Sequence, residues 1–248
     1  MIDGVPSSHV DLDDPEYLEF EYMQQMAAVI DRLAPPGEPL AVVHLGAAGC
    51  SLARYVHARR PGSRQIAAEI DPVLAQHVRT WFELPRSPAL RIRVGDAREI
   101  LESLPDASAD VVVRDVFADA QTPAHVQTAQ FTQQVTRVLR PGGTYLANVA
   151  DRPPLALARA ETATIASVLP VVGLVAEPAL LRGRRYGNVV VAASSASEVV
   201  TGADLARAVR SLPAPSRILV GPELAQFVGK APVLQDPTEP PLDPPMVG

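Results

Sequence analysis

A chain of 248 residues with a hydrophobic fraction of 47% can bury a full core and fits one large α/β domain with appended segments. Its formal net charge of -6 argues against a general nucleic-acid surface, which needs clustered Lys and Arg, and favours small cationic partners. The lone Cys50 excludes an internal disulfide, and no apolar run reaches the roughly 18 residues of a membrane span, so a cytoplasmic protein without membrane contact is expected.

Residues 1–13 are polar and read as irregular. Asp14-Pro15 offers an N-cap and a proline for the first turn of a helix. Leu18, Tyr22, Met26, Val29, Ile30 and Leu33 then recur at three- and four-residue steps, predicting an amphipathic helix that Pro35-Pro36-Gly37 stops. Residues 40–45 are an apolar run of strand length, followed by the small-residue turn Gly46-Ala47-Ala48-Gly49 and a helix over 51–59. A second strand at 65–69 leads through Asp71-Pro72 into a helix to about 82, a third strand spans 90–94, and a short helix covers 98–104. The apolar segment 109–113 is a fourth strand ending at Arg114-Asp115, a helix covers 124–139, and a fifth strand covers 144–149. A helix over 154–169, a strand over 171–176, a polar turn at 181–185 and a last strand over 188–193 complete the pattern.

Strands alternating with helices imply a mostly parallel seven-strand sheet with an antiparallel edge strand and helices on both faces. Residues 1–34 are expected to form an arm and a helix guarding the site, and 35–200 a Rossmann-like nucleoside-binding domain. Residues 201–248 form a C-terminal extension, with two short helices within 203–228 and a proline-rich end from Ala231 that reads as disordered or loosely draped.

Acids recur at strand ends: Glu69 and Asp71 after the second, Asp96 after the third, Asp115 and Asp119 after the fourth, Asp151 after the fifth. In an open α/β sheet that edge is where ligands bind. The turn lacks the Gly-x-Gly-x-x-Gly spacing that wraps a pyrophosphate, so a nucleoside ligand is expected rather than a dinucleotide. Gly46, Ala47 and Gly49 let the backbone approach it, Glu69 accepts from ribose hydroxyls, and Asp96 with the Ala97 N–H reads the adenine edge. The plain alternative for Asp71, before Pro72, is a helix cap; His44 reads as a hydrogen-bonded core histidine and Cys50 as a filler. His125 is a candidate substrate contact, and Arg182, Arg184 and Arg185 either grip an anion or are solvated. No Cys, His and Asp set has metal-ligand spacing, so no metal is expected.

Gly46-Ala47-Ala48-Gly49, Glu69-Ile70-Asp71, Gly95-Asp96-Ala97, the Asp115 to Asp119 segment and Leu139-Arg140-Pro141-Gly142-Gly143 resemble, in this order, the spermidine synthases, which share the class I S-adenosylmethionine-dependent methyltransferase fold. The likeness covers about residues 8–195 and is nearest to the spermidine-synthase-like proteins of actinobacteria. It implies a donor, decarboxylated S-adenosylmethionine, whose aminopropyl group passes to a small amine such as putrescine. By the same resemblance Glu69, Ile70, Asp96 and Ala97 hold the donor, while Asp115, Asp119 and Tyr22 form the catalytic set.

The departures bear on the reaction. Ala47 and Ala48 replace the acid usual in the family's turn, and Tyr22-Met23-Gln24 keeps only the tyrosine of its Tyr-His-Glu. The family's small N-terminal β-domain is missing by this likeness, and a homodimer or larger is expected if the helix at 15–34 has an apolar face the sheet cannot fully cover, with that helix and the Tyr17 to Phe20 side as the contact. Three readings stand: an aminopropyltransferase, an S-adenosylmethionine-dependent methyltransferase, and a nucleoside-binding interaction protein without catalysis.

Overall fold

The computed structural model describes residues 8–46, 48–117, 121–195 and 197–237. Its strands are β1 (Ala41–Leu45), β2 (Arg64–Glu69), β3 (Leu90–Val94), β4 (Ala109–Arg114), β5 (Leu139–Asp151), β6 (Val171–Ala176), β7 (Gly187–Ser194) and β8 (Arg217–Leu219). They form one eight-stranded sheet in the order β3-β2-β1-β4-β5-β7-β6-β8. The first five run parallel; β7 lies antiparallel between β5 and β6, and β8 is antiparallel at the edge. The helices are α1 (Glu21–Ile30), α2 (Ser51–Arg59), α3 (Pro72–Trp81), α4 (Ala97–Glu102), α5 (Ala129–Val138), α6 (Ala156–Ala166), α7 (Pro178–Leu181), α8 (Ser197–Thr201), α9 (Ala203–Arg210) and α10 (Gly221–Val228). This is the mostly parallel, Rossmann-like sheet that the strand and helix pattern implies, and the methyltransferase-type arrangement that the family resemblance implies.

The central strands are mostly apolar because both faces are covered, and successive residues divide between them. Val43, Leu45, Val112, Tyr145 and Ala147 pack with α4, α5, α6 and α10. Their neighbours Val42, Val111, Val113 and Leu146 pack with α1, α2, α8 and α9. At the seam between β1 and β4 the winding reverses, and Leu45 stands beside Arg114 in register. That reversal opens the crevice in which this fold class binds ligands.

Several local expectations change. The first helix starts at Glu21 rather than at Asp14-Pro15, because Asp14 makes a turn instead: its side chain accepts from the Glu16 N–H at 2.9 Å and its carbonyl from that of Tyr17 at 3.2 Å. Asp competes with helix in this way wherever a local acceptor satisfies nearby amides. Its apolar face does not wait for a second subunit, since Met23 and residues 25–30 are buried against the sheet and α9. The fully buried Arg60 receives its C-terminal end, donating to the carbonyls of Ile30, Ala34, Pro35 and Glu38 at 2.9–3.1 Å.

The segment 124–139 is a 3-10 turn over Ala124–Val126, then α5, separated where the Thr128 hydroxyl caps the Phe131 N–H at 3.2 Å. The eighth strand, β8, was not anticipated: three residues carry too little pattern to separate from the flanking helices. Residues 231–237 are not loosely draped. Leu234 bonds through its carbonyl to the Ala129 N–H and through its N–H to Thr164 Oγ1, and the Asp236 carboxylate takes both terminal nitrogens of Arg98 at 2.8 and 2.7 Å. The remainder of the proline-rich end lies outside the described residues. Among the described residues no helix is long and apolar enough to cross a membrane.

Candidate active site

Gly46 ends β1 at a φ of +88°, and a Cβ there would lie 2.1 Å from the Asp115 carbonyl oxygen. Any side chain would push the ends of β1 and β4 apart, so this glycine holds the crevice closed at its base. Ala48 and Cys50 also take positive φ, and Cys50 leads directly into α2. The Gly49 N–H, expected to face a ligand, is bound by Ser8 Oγ at 2.9 Å, as the arm from Ser8 runs along the start of α2. Ala47 lies outside the described residues.

Glu69 closes β2 and spans the crevice: one carboxylate oxygen accepts from the Ala48 N–H and the other from the Asp71 N–H, each at 3.0 Å. A carboxylate has about four acceptor positions, so two remain for hydroxyl donors. Asp71 is the cap of α3, accepting from Val73 and Leu74, which is the plainer of its two readings. Ile70 between these acids is 70% exposed and Val94, at the end of β3, 54%, giving the edge two apolar side chains with no cover.

Asp96 caps α4 through Oδ1, which accepts from the Arg98 and Glu99 amides, and its Oδ2 meets His125 Nε2 at 2.9 Å. Burial opposes its ionisation, but His125 and the two amides outweigh that and hold its pKa below the usual carboxylate range. Ala97 is buried at the first position of α4. His125, expected as a substrate contact, pairs with Asp96, the acid expected at the adenine edge.

Asp115 and Tyr22, far apart in sequence, are brought together: the Tyr22 hydroxyl donates to Asp115 Oδ2 at 3.0 Å, and Asn148 Nδ2 donates to Oδ1 at 2.7 Å. Burial drives the Asp115 pKa above the ordinary carboxylate range, with Asn148, Tyr22 and the adjacent Arg114 pulling the other way. Burial and the Asp115 charge together raise the Tyr22 hydroxyl far beyond its normal range, so it stays a donor. Asp119 falls outside the described residues.

Two partners were not among the residues expected here. Asn148 sits one strand over from Asp115, within β5 at the residue after Ala147, the register partner of Arg114, a place the strand order reveals but spacing does not. Arg114, the charge that closes β4 after three valines, is fully buried and pairs with Glu161 of α6 at 2.5 Å while donating to the Val126 and Asn148 carbonyls. Burial works against its charge, and Glu161 more than restores it. That isolated arginine was the sequence signal.

The remaining candidates fall to structural roles. His44 is enclosed in β1, bonded to Gln65 at 2.8 Å, and burial lowers its pKa to about 4. Burial, reinforced by Glu69, pushes the Cys50 thiol up to about 12, which removes it as a nucleophile at neutral pH. Among the described residues no cluster of three or more His, Cys, Asp or Glu could hold a metal.

The sequence family described as "Methyltransferase domain" matches residues 43–147, the segment that carries the crevice. The structure of a probable spermidine synthase from Corynebacterium glutamicum ATCC 13032 superposes with a TM-score of 0.89 at 36% identity, covering 98% of this chain and 90% of that one. This chain belongs to the spermidine synthase-like family. A polyamine aminopropyltransferase of Chromobacterium violaceum is 28% identical over 148 residues, 57% of this chain and 53% of that protein. The human "eEF1A lysine and N-terminal methyltransferase" is 29% identical over 174 residues, 64% of this chain. The chain spans only 24% to 25% of the length of the bovine and human proteins of that name. Family membership and fold together give the coarse class, a transferase of the methyltransferase fold.

Proposed function

We propose that the protein holds decarboxylated S-adenosylmethionine along the ends of β1, β2 and β3 and transfers its aminopropyl group to a small amine. The observation that carries this reading is the buried Asp115 carboxylate, held by Tyr22 at 3.0 Å and Asn148 at 2.7 Å at the strand edge. Glu69 would take the ribose hydroxyls with its two remaining acceptor positions, Asp96 and the Ala97 N–H the adenine edge, and Ile70 and Val94 the faces of the ring. A sulfonium donor supplies an electrophilic carbon with a good leaving group. The amine nitrogen bonds to that carbon as the carbon–sulfur bond breaks, the electron pair stays on sulfur to give methylthioadenosine, and the amine's surplus proton goes to Asp115. Tyr22 and Asn148 fix both oxygens of that acid, so the acceleration rests on positioning in a dry site.

A methyl transfer from S-adenosylmethionine is the second reading. The similarity to lysine and N-terminal methyltransferases favours it, as does the loss of the family's His-Glu, with Met23 and Gln24 in its place. Both readings bring an amine to Asp115. Calorimetry with the two donors separates them: the proposal expects decarboxylated S-adenosylmethionine to bind and its release product methylthioadenosine to compete. Binding of S-adenosylmethionine alone would favour methyl transfer, and binding without turnover of either donor would favour a nucleoside-binding interaction protein.

A further inference from the structure

Resting on the donor placement above, we propose that His125 is a positioning residue for Asp96, the acid at the adenine edge, and that the C-terminal segment 231–237 holds His125 in place through Arg98. Asp96 caps α4 with one oxygen only: Oδ1 accepts from the Arg98 and Glu99 amides at 2.8 and 3.2 Å. The terminal torsion of an aspartate is broad, so two bonds to Oδ1 leave the aim of Oδ2 loose. His125 Nε2, 2.9 Å away, fixes it. The lowered pKa keeps Asp96 ionised at neutral pH, and an ionised carboxylate only accepts, so Nε2 carries the hydrogen of this bond. Oδ2 then keeps an acceptor position that suits one N–H of an adenine 6-amino group and opposes the oxygen of a 6-oxo purine.

The His125 side chain is half exposed, so its own backbone decides where the ring stands. It lies in the 3-10 turn Ala124–Val126; the buried Val126 roots that turn in the core, and Arg98 Nη1 donates to the His125 carbonyl at 3.1 Å. Arg98 also gives Nη1 and Nη2 to the Asp236 carboxylate at 2.8 and 2.7 Å, a two-pronged pair with fixed geometry. Asp236 is itself fixed, since its N–H donates to Gln130 Oε1 at 3.0 Å and Leu234 is bonded to both Ala129 and Thr164. Contacts therefore run unbroken from α5 and α6 through Asp236, Arg98 and His125 to Asp96. Arg98 serves the acid twice, by its backbone N–H on Oδ1 and by its side chain through His125 on Oδ2.

Calorimetry on the full chain compares methylthioadenosine with methylthioinosine, which carries an oxygen in place of the 6-amino group. The unchanged protein is expected to prefer the adenosine by at least about tenfold, as a site built to meet an N–H donor does. H125A should weaken methylthioadenosine about fivefold and leave methylthioinosine unchanged, and H125Q, which again offers an N–H to Oδ2, should recover most of the parental ratio. R98M keeps the backbone N–H on Oδ1 and D236N removes the two-pronged pair; each should narrow the ratio in the same direction, by about two- to threefold. Equal weakening of both ligands in H125A, or no change, overturns the positioning role, because a merely structural residue does not distinguish the two purines. Failure of H125Q to recover the ratio also overturns it. A parental ratio kept by both R98M and D236N overturns the part given to segment 231–237. If D96A keeps the parental ratio too, Asp96 does not read the adenine, and the donor placement falls together with this inference.

Discussion

Burial holds the Asp115 carboxyl above the usual carboxylate range, and the Asn148 amide, the Tyr22 hydroxyl and the Arg114 charge each limit that rise. A base must be ionised to accept a proton, so turnover should increase with pH through this raised pKa. Replacing Tyr22 with Phe deletes one group that stabilises the anion, and the acid limb of the kcat profile should move to still higher pH. A limb that stays in place would take Tyr22 out of the catalytic set. Asp115→Asn keeps the shape and the neighbours while removing the base; it should cost at least about a hundredfold in turnover and leave the melting temperature within a few degrees. For the donor, a hydrogen bond to a charged group contributes roughly 1.5 to 3 kcal/mol, so Glu69→Ala should weaken methylthioadenosine about tenfold or more in calorimetry. Much of this site could be read from residue types at strand ends. The Tyr22 pairing with Asp115 came with the family resemblance; what could not be read was the Asn148 partnership, which exists only because β5 lies beside β4, and no spacing encodes that.

Elements with a single strong pattern were readable, and those decided by a competing local contact were not. β6 spans the residues expected of it because it is an unbroken apolar run, whereas α1 lost its first turns to the Asp14 turn and β8 was too short to carry a period. Two element-level predictions follow the buried polar groups that set these ends. His44 inside β1 stays neutral, its pKa lowered to about 4 by burial. The unfolded chain takes up that proton near pH 6.5, so the unfolded state binds more protons between there and pH 4, and stability falls as pH falls through this window. H44N should lose less stability than the parent over the same range, as followed by thermal melts; parallel curves would mean that His44 is not buried neutral. Arg60 satisfies four carbonyls at the end of α1 and beyond. R60M leaves them without a donor, and a loss of about 3 kcal/mol, roughly 6 to 12 °C in melting temperature at this chain length, is expected. R60K should recover part of it, since one ammonium cannot reach all four.

At the scale of the whole molecule, the segment 231–237 ties α4, α5 and α6 together through Arg98, Ala129, Gln130 and Thr164. Composition alone hid this, because a proline-rich stretch with few bulky residues looks unfixed until its partners are in place. The Arg98–Asp236 pair is partly exposed, so D236N should cost only about 1 kcal/mol or less, while removal of everything after Lys230 should lower the melting temperature by several degrees. The case for a homodimer rested on an uncovered apolar face of the first helix, and that face is used within the chain by β7 and α9. The most direct test of the transferase reading is product analysis by mass spectrometry after incubating the protein with a panel of small amines and each donor in turn. The account predicts methylthioadenosine and an aminopropylated amine from decarboxylated S-adenosylmethionine, both abolished in Asp115→Asn. S-adenosylhomocysteine and a methylated amine from S-adenosylmethionine, with no methylthioadenosine from the other donor, would contradict it.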